Sequence, residues 1–147
     1  MIREIQLKDK VQWEKLYKGY ADFYKVEMND KILQTIWSWL HDKSHDVEGL
    51  VYEVEDKIIG LAHYRRMPSP LRGQYIGFLD DLFVDPKYRG QKIGEKLINQ
   101  MKEISISRGW NLVRWITRND NTKAKSLYDR VSAVSYTHLT LPTILRV

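Results

Sequence analysis

Cysteine is absent from this chain of 147 residues. That excludes a disulfide framework, a thiolate-ligated zinc site and a thiol nucleophile together, and it suits a reducing compartment. Long apolar runs are absent too. No stretch approaches the roughly 18 uninterrupted apolar residues of a membrane span, and no apolar segment follows a basic start at the amino terminus. The expectation is a soluble, cytoplasmic chain with no membrane partner. The four histidines show no metal-ligand spacing, so no metal is expected. There is no internal repeat, and no linker long enough to divide the chain.

The length is that of one ordinary domain. A hydrophobic share of 43% beside a charged share of 29% marks a globular chain rather than a disordered one. The 24 basic and 19 acidic residues leave a net charge of +5. Such an excess points to an anionic partner, either nucleic acid or a phosphate-bearing cofactor, or else simply to a solvated surface.

Hydrophobic periodicity predicts the elements. A first strand covers residues 1–7. Asp9 stands where an N-cap belongs, and Trp13, Leu16, Tyr17, Tyr20 and Tyr24 follow helical spacing and read as core. Asn29 and Asp30 open a second helix with the stripe Leu33, Ile36, Trp37 and Leu40. A loop over 42–48 leads to a hairpin, 50–54 and 58–64, turning at 55–57. Residues 65–73, with two prolines, a glycine and three arginines, predict an exposed loop. A strand over 75–84, a helix ending near Arg108 with Gly109 behind it as C-cap, a strand over 112–117 and a helix over 121–131 complete one mixed α/β layer fold.

The final residues differ in character. Residues 133–147 contain no acidic residue, and Val134 to Thr143 resembles the translation of a transposon-end adapter used in sequencing libraries. The expected division is therefore a domain over 1–132 and a non-native tail over 133–147 that replaces the natural carboxy-terminal strand or strands.

Between the strand ending at Val84 and the next helix lies a basic elbow, "DPKYRGQKIG", from Asp85 to Gly94. A helix amino terminus offers unpaired amides and the positive end of a dipole. A small residue beside it lets an anion reach the backbone, and Arg89 adds a planar donor fork. The elbow matches neither the phosphate-loop pattern nor the dinucleotide fingerprint.

With its neighbours it resembles the GCN5-related N-acetyltransferase (GNAT) superfamily. That family's acetyl-coenzyme A signature, Gln/Arg-x-x-Gly-x-Gly/Ala, is approached by Arg89, Gly90, Gln91, Lys92, Ile93 and Gly94, departing at Lys92 where a glycine is usual. "GLAHYR" (60–65), "FLDDLFVDPKYRG" (78–90) and "NTKAKSLYDR" (121–130) are similar to the polyamine and histone acetyltransferase branch. The resemblance covers about residues 2–131. It implies an α/β (α+β) fold with a single mixed, mostly antiparallel central sheet flanked by helices. It also implies transfer of acetyl from acetyl-coenzyme A to a primary amine such as a polyamine or amino acid, by direct attack in a ternary complex. The backbone of Leu82, Phe83 and Val84 would hold the pantetheine arm, Arg89 to Gly94 the pyrophosphate, and Asn121 the cofactor. Tyr128 matches the general acid and Asp80 the proposed base. Asp81, a second acid beside it, would be the base in its place, bind substrate or brace a loop; His63, from its place in a strand, is read as lining the substrate cleft. Dimers are common in this branch, so a homodimer stays open for this chain.

The chemistry is consistent with those roles. An alkylammonium of pKa about 10 attacks nothing until it loses a proton, and a carboxylate can accept that proton. The departing thiolate needs a proton that a phenol can give. Plainer readings stand beside these: Tyr128 and His63 as packed core residues, Asn121 as a helix cap. Two other functions are a non-catalytic acyl-coenzyme A sensor on the same fold and a basic nucleic-acid-binding domain. The scattered basic residues, without a recognition-helix pattern, speak against the second, and no nucleic-acid partner is expected.

Overall fold

Helix α1 (Lys10–Tyr24) forms where the apolar stripe predicts it and buries Trp13, Leu16, Tyr17 and Ala21. The computed structural model describes residues 1–116 and the strand 142–146; the expected helix over 121–131 lies outside the described residues. Helix α2 (Asp30–His41) starts at Asn29, whose side-chain oxygen accepts the Ile32 N–H at 2.9 Å. Helix α3 (Ile93–Ser107) ends at Arg108, and Gly109 follows at φ +79°, a left-handed stop that glycine adopts without strain.

Six strands form one sheet in chain order: β1 (Ile2–Glu4), β2 (Glu48–Val54), β3 (Lys57–Ser69), β4 (Gln74–Val84), β5 (Leu112–Ile116) and β6 (Pro142–Arg146). Every neighbouring pair is antiparallel except β4–β5, which is parallel because α3 carries the chain across between them. The sheet is thus mixed and mostly antiparallel, as expected. One face packs on α3 through Ile59, Leu79, Leu97 and Met101, and the other on α1 and α2 through Trp13, Leu33, Leu61 and Phe83. Strand β6 falls within the segment expected to be non-native. Ladder bonds are made by backbone groups and accept nearly any side chain, so this strand does not bear on the origin of residues 133–147.

Two expectations need correction. Residues 65–69 are not loop: β3 continues to Ser69, opposite Gln74. Beyond Tyr64, β3 pairs only with β4, because β2 begins at Glu48 opposite Tyr64. Pro68, which has no N–H to give, therefore sits on a half-paired stretch where a missing donor is tolerated. Asp9 adjoins α1 but its side chain makes no cap bond to that helix. Its carboxylate accepts both terminal nitrogens of Arg3 at 2.8 Å and the Gln6 N–H at 2.7 Å. Burial alone would raise the Asp9 pKa, but the Arg3 and Gln6 bonds outweigh it and hold it below the usual carboxylate value.

Asp9 is 2% exposed, so removing its partner would leave a buried charge alone. Arg3→Ala is expected to destabilise the fold by about 3 kcal/mol, read from urea unfolding at pH 7. Because the folded pKa of Asp9 is depressed, this contribution is present above the ordinary carboxylate pKa. It fades as pH falls through the lowered folded value.

Candidate active site

The site is organised by an irregularity in β4. Across the β3–β4 ladder His63 faces Asp81 while Tyr64 faces Leu79, which leaves Asp80 as an extra, unpaired residue. This β-bulge resets the alternation of side chains along the strand. Leu79 joins the α3-side core, whereas Asp81, two residues on, points to the α1 side with Phe83.

On that side the Asp81 carboxylate sits among His63, Tyr17 and Tyr20. Its Oδ2 lies 2.8 Å from His63 Nδ1 and accepts the Tyr17 hydroxyl at 2.9 Å, and Tyr20 also bonds it. Burial pushes the Asp81 pKa up, but the hydrogen bond and charge interaction with His63, with hydrogen bonds from Tyr17 and Tyr20, more than offset it, so the group stays below the ordinary carboxylate range. Burial and the Asp81 charge drive both tyrosine phenols well up. Asp81 opens into a cavity of about 360 Å³ bounded by Tyr17, Tyr20 and Tyr24 of α1 and by Ala21, Val26 and Met28. Tyr17 and Tyr20 stack with ring centroids 5.5 Å apart, and Tyr20 meets Tyr24 at 4.8 Å.

Asp80 has a different environment. It pairs with Arg65 Nε at 3.1 Å. Its side chain keeps 29% exposure, and partial desolvation, helped by the charge of Asp81, raises its pKa, with Arg65 opposing. Two adjacent carboxylates are thus pushed in opposite directions, Asp80 upward and Asp81 downward.

The β4–β5 ladder ends at Leu79–Trp115, although β4 runs on through Asp80 to Val84. Along Leu82, Phe83 and Val84, β4 is bonded to β3 on one side. On its other side no strand pairs with it among the described residues. That edge leads into the elbow. Asp85 accepts the Lys87 N–H at 3.0 Å and starts a short 3₁₀ turn, Pro86–Tyr88. Gly90 then takes φ +86° and Lys92 φ +61°. No side chain caps α3, whose first internal bond runs from the Lys96 N–H to the Lys92 carbonyl at 3.0 Å. Arg89 is exposed and lies over the rings of Phe23 and Phe83, at 5.4 and 5.6 Å.

Lys92 occupies a left-handed conformation that favours glycine, which gives a physical reason for a glycine at this point of the family's signature. Lys92→Gly is expected to stabilise the fold by about 1 kcal/mol in thermal or urea unfolding. It removes one cation from the elbow at the same time.

The structure therefore brings Asp80, Asp81 and His63 together, and places Leu82 to Val84 on the strand that feeds Arg89, Gly90, Gln91, Lys92, Ile93 and Gly94. Asn121 and Tyr128 lie outside the described residues. Of the α1 tyrosines read from sequence as core, Tyr17 is buried in it and Tyr20 packs against it, and with Tyr24 they also line the cavity. Their spacing at i, i+3 and i+7 marks one helical face but does not say what that face meets. Trp13 was likewise legible only as core. No helix among the described residues is long and apolar enough to cross a membrane.

The family model described as "Acetyltransferase (GNAT) family" matches residues 13–132. D-amino-acid N-acetyltransferase HPA3 of Saccharomyces cerevisiae is 28% identical over 134 residues, covering 90% of this chain and 83% of that protein. Thialysine N-epsilon-acetyltransferase of Bos taurus is 32% identical over 80 residues, 54% of this chain; the match spans 46% of the relative's length. Among solved structures, a probable acetyltransferase superposes with a TM-score of 0.83 at 16% identity, covering 97% of this chain and 95% of that one, a likeness of fold.

Proposed function

The chain belongs to the acetyltransferase (GNAT) family, and from that premise we propose that it moves acetyl from acetyl-coenzyme A to the primary amine of a small alkylammonium acceptor. The observation that carries the acceptor reading is Asp81. It is a carboxylate whose pKa is held low by His63, Tyr17 and Tyr20, with no lysine or arginine partner among the described residues, and it lines a tyrosine-walled cavity. A half-buried anion without a lysine or arginine partner favours a cationic guest, and phenol faces attract an ammonium.

Acetyl-coenzyme A supplies the acetyl group as a thioester. The residues present fit it. The uncapped start of α3 at Ile93 and Gly94, with Arg89 and Lys92 beside it, suits a pyrophosphate, and Gly90 keeps the approach small. The backbone of Leu82, Phe83 and Val84 has an unpaired edge, among the described residues, for an extended amide-bearing arm. Asp81 holds the acceptor, and Asp80, with its raised pKa, takes the proton that an ammonium must shed before its nitrogen can attack. Tyr128 is assigned the proton for the departing sulfur.

The two named relatives differ in acceptor, one acting on D-amino acids and the other at an N-epsilon amine. The described lining of this cavity contains no cation. A carboxylate next to the reacting amine would face Asp81 unpartnered, so an amine on an apolar stem is favoured over an α-amine. A thiol-release assay tests this cleanly, because a chain without cysteine adds no background. Butylamine and diaminopentane are expected to turn over at least tenfold faster, in kcat/KM, than D- or L-α-amino acids. Coenzyme binding without turnover across the panel would refute the enzyme reading in favour of a sensor.

A further inference from the structure

Trp13 is fully buried, and its indole N–H donates to His63 Nε2 at 2.9 Å. An indole nitrogen can only donate. His63 Nε2 is therefore an acceptor and carries no proton, which leaves the ring's single proton on Nδ1. That nitrogen faces Asp81 Oδ2 at 2.8 Å, so His63 donates to Asp81 as a neutral ring. We infer that Trp13 is a positioning residue that locks His63 in the Nδ1–H tautomer, and so keeps Asp81 an uncompensated anion for the acceptor's ammonium. This rests on the reading of the Asp81 cavity as the amine site.

The reason is charge balance. An imidazolium at His63 would pair with Asp81 and cancel the negative charge that the cavity offers. Protonating Nε2 requires breaking the indole bond and setting two N–H groups against each other in a site where His63 is 1% exposed. The remaining neighbours cannot substitute for that block. From β4 the groups facing His63 are the carboxylates of Asp81, which touches Nδ1, and of Asp80 beside it. From α1 they are Tyr17, edge-on to the imidazole at 4.8 Å, and Tyr20 beyond it at Asp81. From β2 the residue opposite is Gly49, which has no ionisable group. Burial of His63 disfavours a charged ring in general, and Trp13 is the neighbour that occupies the second nitrogen. Trp13 also packs against Trp37 of α2, with the rings tilted by 47° and their centroids 5.0 Å apart, which restrains the indole.

The test has one arm that needs no variant. In the wild-type protein, ¹⁵N NMR of labelled histidine is expected to show His63 protonated at Nδ1 and bare at Nε2 from pH 6 to 8. A proton on Nε2 at pH 7 overturns the inference, whatever the enzyme acetylates. The second arm is kinetic. For butylamine, the wild-type KM is expected to be flat from pH 8 to 6. In Trp13→Phe it should rise about tenfold over that range with kcat unchanged, as His63 becomes free to take a second proton. Adding His63→Gln to Trp13→Phe should flatten the profile again, because glutamine does not titrate. A Trp13→Phe KM raised equally at all pH values would reduce Trp13 to packing and overturn the inference. Absence of amine saturation in the wild type, with the tautomer as expected, would instead overturn the assignment of the cavity. If Trp13→Phe fails to fold, the wild-type spectrum decides.

Discussion

Arg89→Ala combined with Gly94→Glu is expected to weaken binding of coenzyme A by about 10³-fold, or about 4 kcal/mol, in calorimetry. The first change removes an exposed guanidinium that now rests on Phe23 and Phe83 with no ion-pair partner among the described residues. The second places a carboxylate on the first turn of α3, where amides and dipole face outward because no side chain caps them. A like charge a few ångströms from a diphosphate is repelled by several kcal/mol when water is partly excluded. Helix propensity favours glutamate over glycine at this position, and circular dichroism checks that the fold survives. Unchanged affinity would remove the elbow from the site and with it the cofactor assignment of residues 89–94.

Asp80→Asn should lower kcat/KM for a primary amine about 10³-fold at pH 7, and progressively less toward pH 10. At neutral pH only about one alkylamine in a thousand is unprotonated, so a base within reach matters most there. Near pH 10 solvent has already removed the proton. The wild-type acid limb carries its own sign. Asp80 works only when deprotonated, and burial raises its pKa from the ordinary 3.8, so activity should fall on acidification earlier than an exposed carboxylate would dictate. The Arg65 pair at 3.1 Å moderates that shift. A loss that is equal at every pH would assign Asp80 to positioning, and the base role would pass elsewhere.

Much of this architecture was legible beforehand. Helical spacing located α1 and α2, the Asn29 cap proved to be a cap, and the elbow lies at the start of α3. Pro68 misled because proline disfavours a strand only where its missing N–H matters, and that depends on whether a third strand is alongside. Asp9 misled because an aspartate before a helix can serve Arg3 instead of the helix, and the arginine is placed by sheet pairing.

The sequence by itself determined the chemistry available: no thiol, adjacent acids on a strand, a basic elbow before a helix, and aromatic residues on one helical face. Those properties depend on residue type and local period, which are written along the chain. The tertiary structure alone decided that Asp80 is a bulge, and therefore that Asp81 faces α1. It alone joined Trp13, Tyr17, His63 and Asp81, drawn from one helix and two strands, into a single chain of hydrogen bonds. A bulge is a relation between two paired strands. Strict alternation within β4 would have sent Asp81 to the face of Leu79, so its orientation exists only once the register with β3 is set.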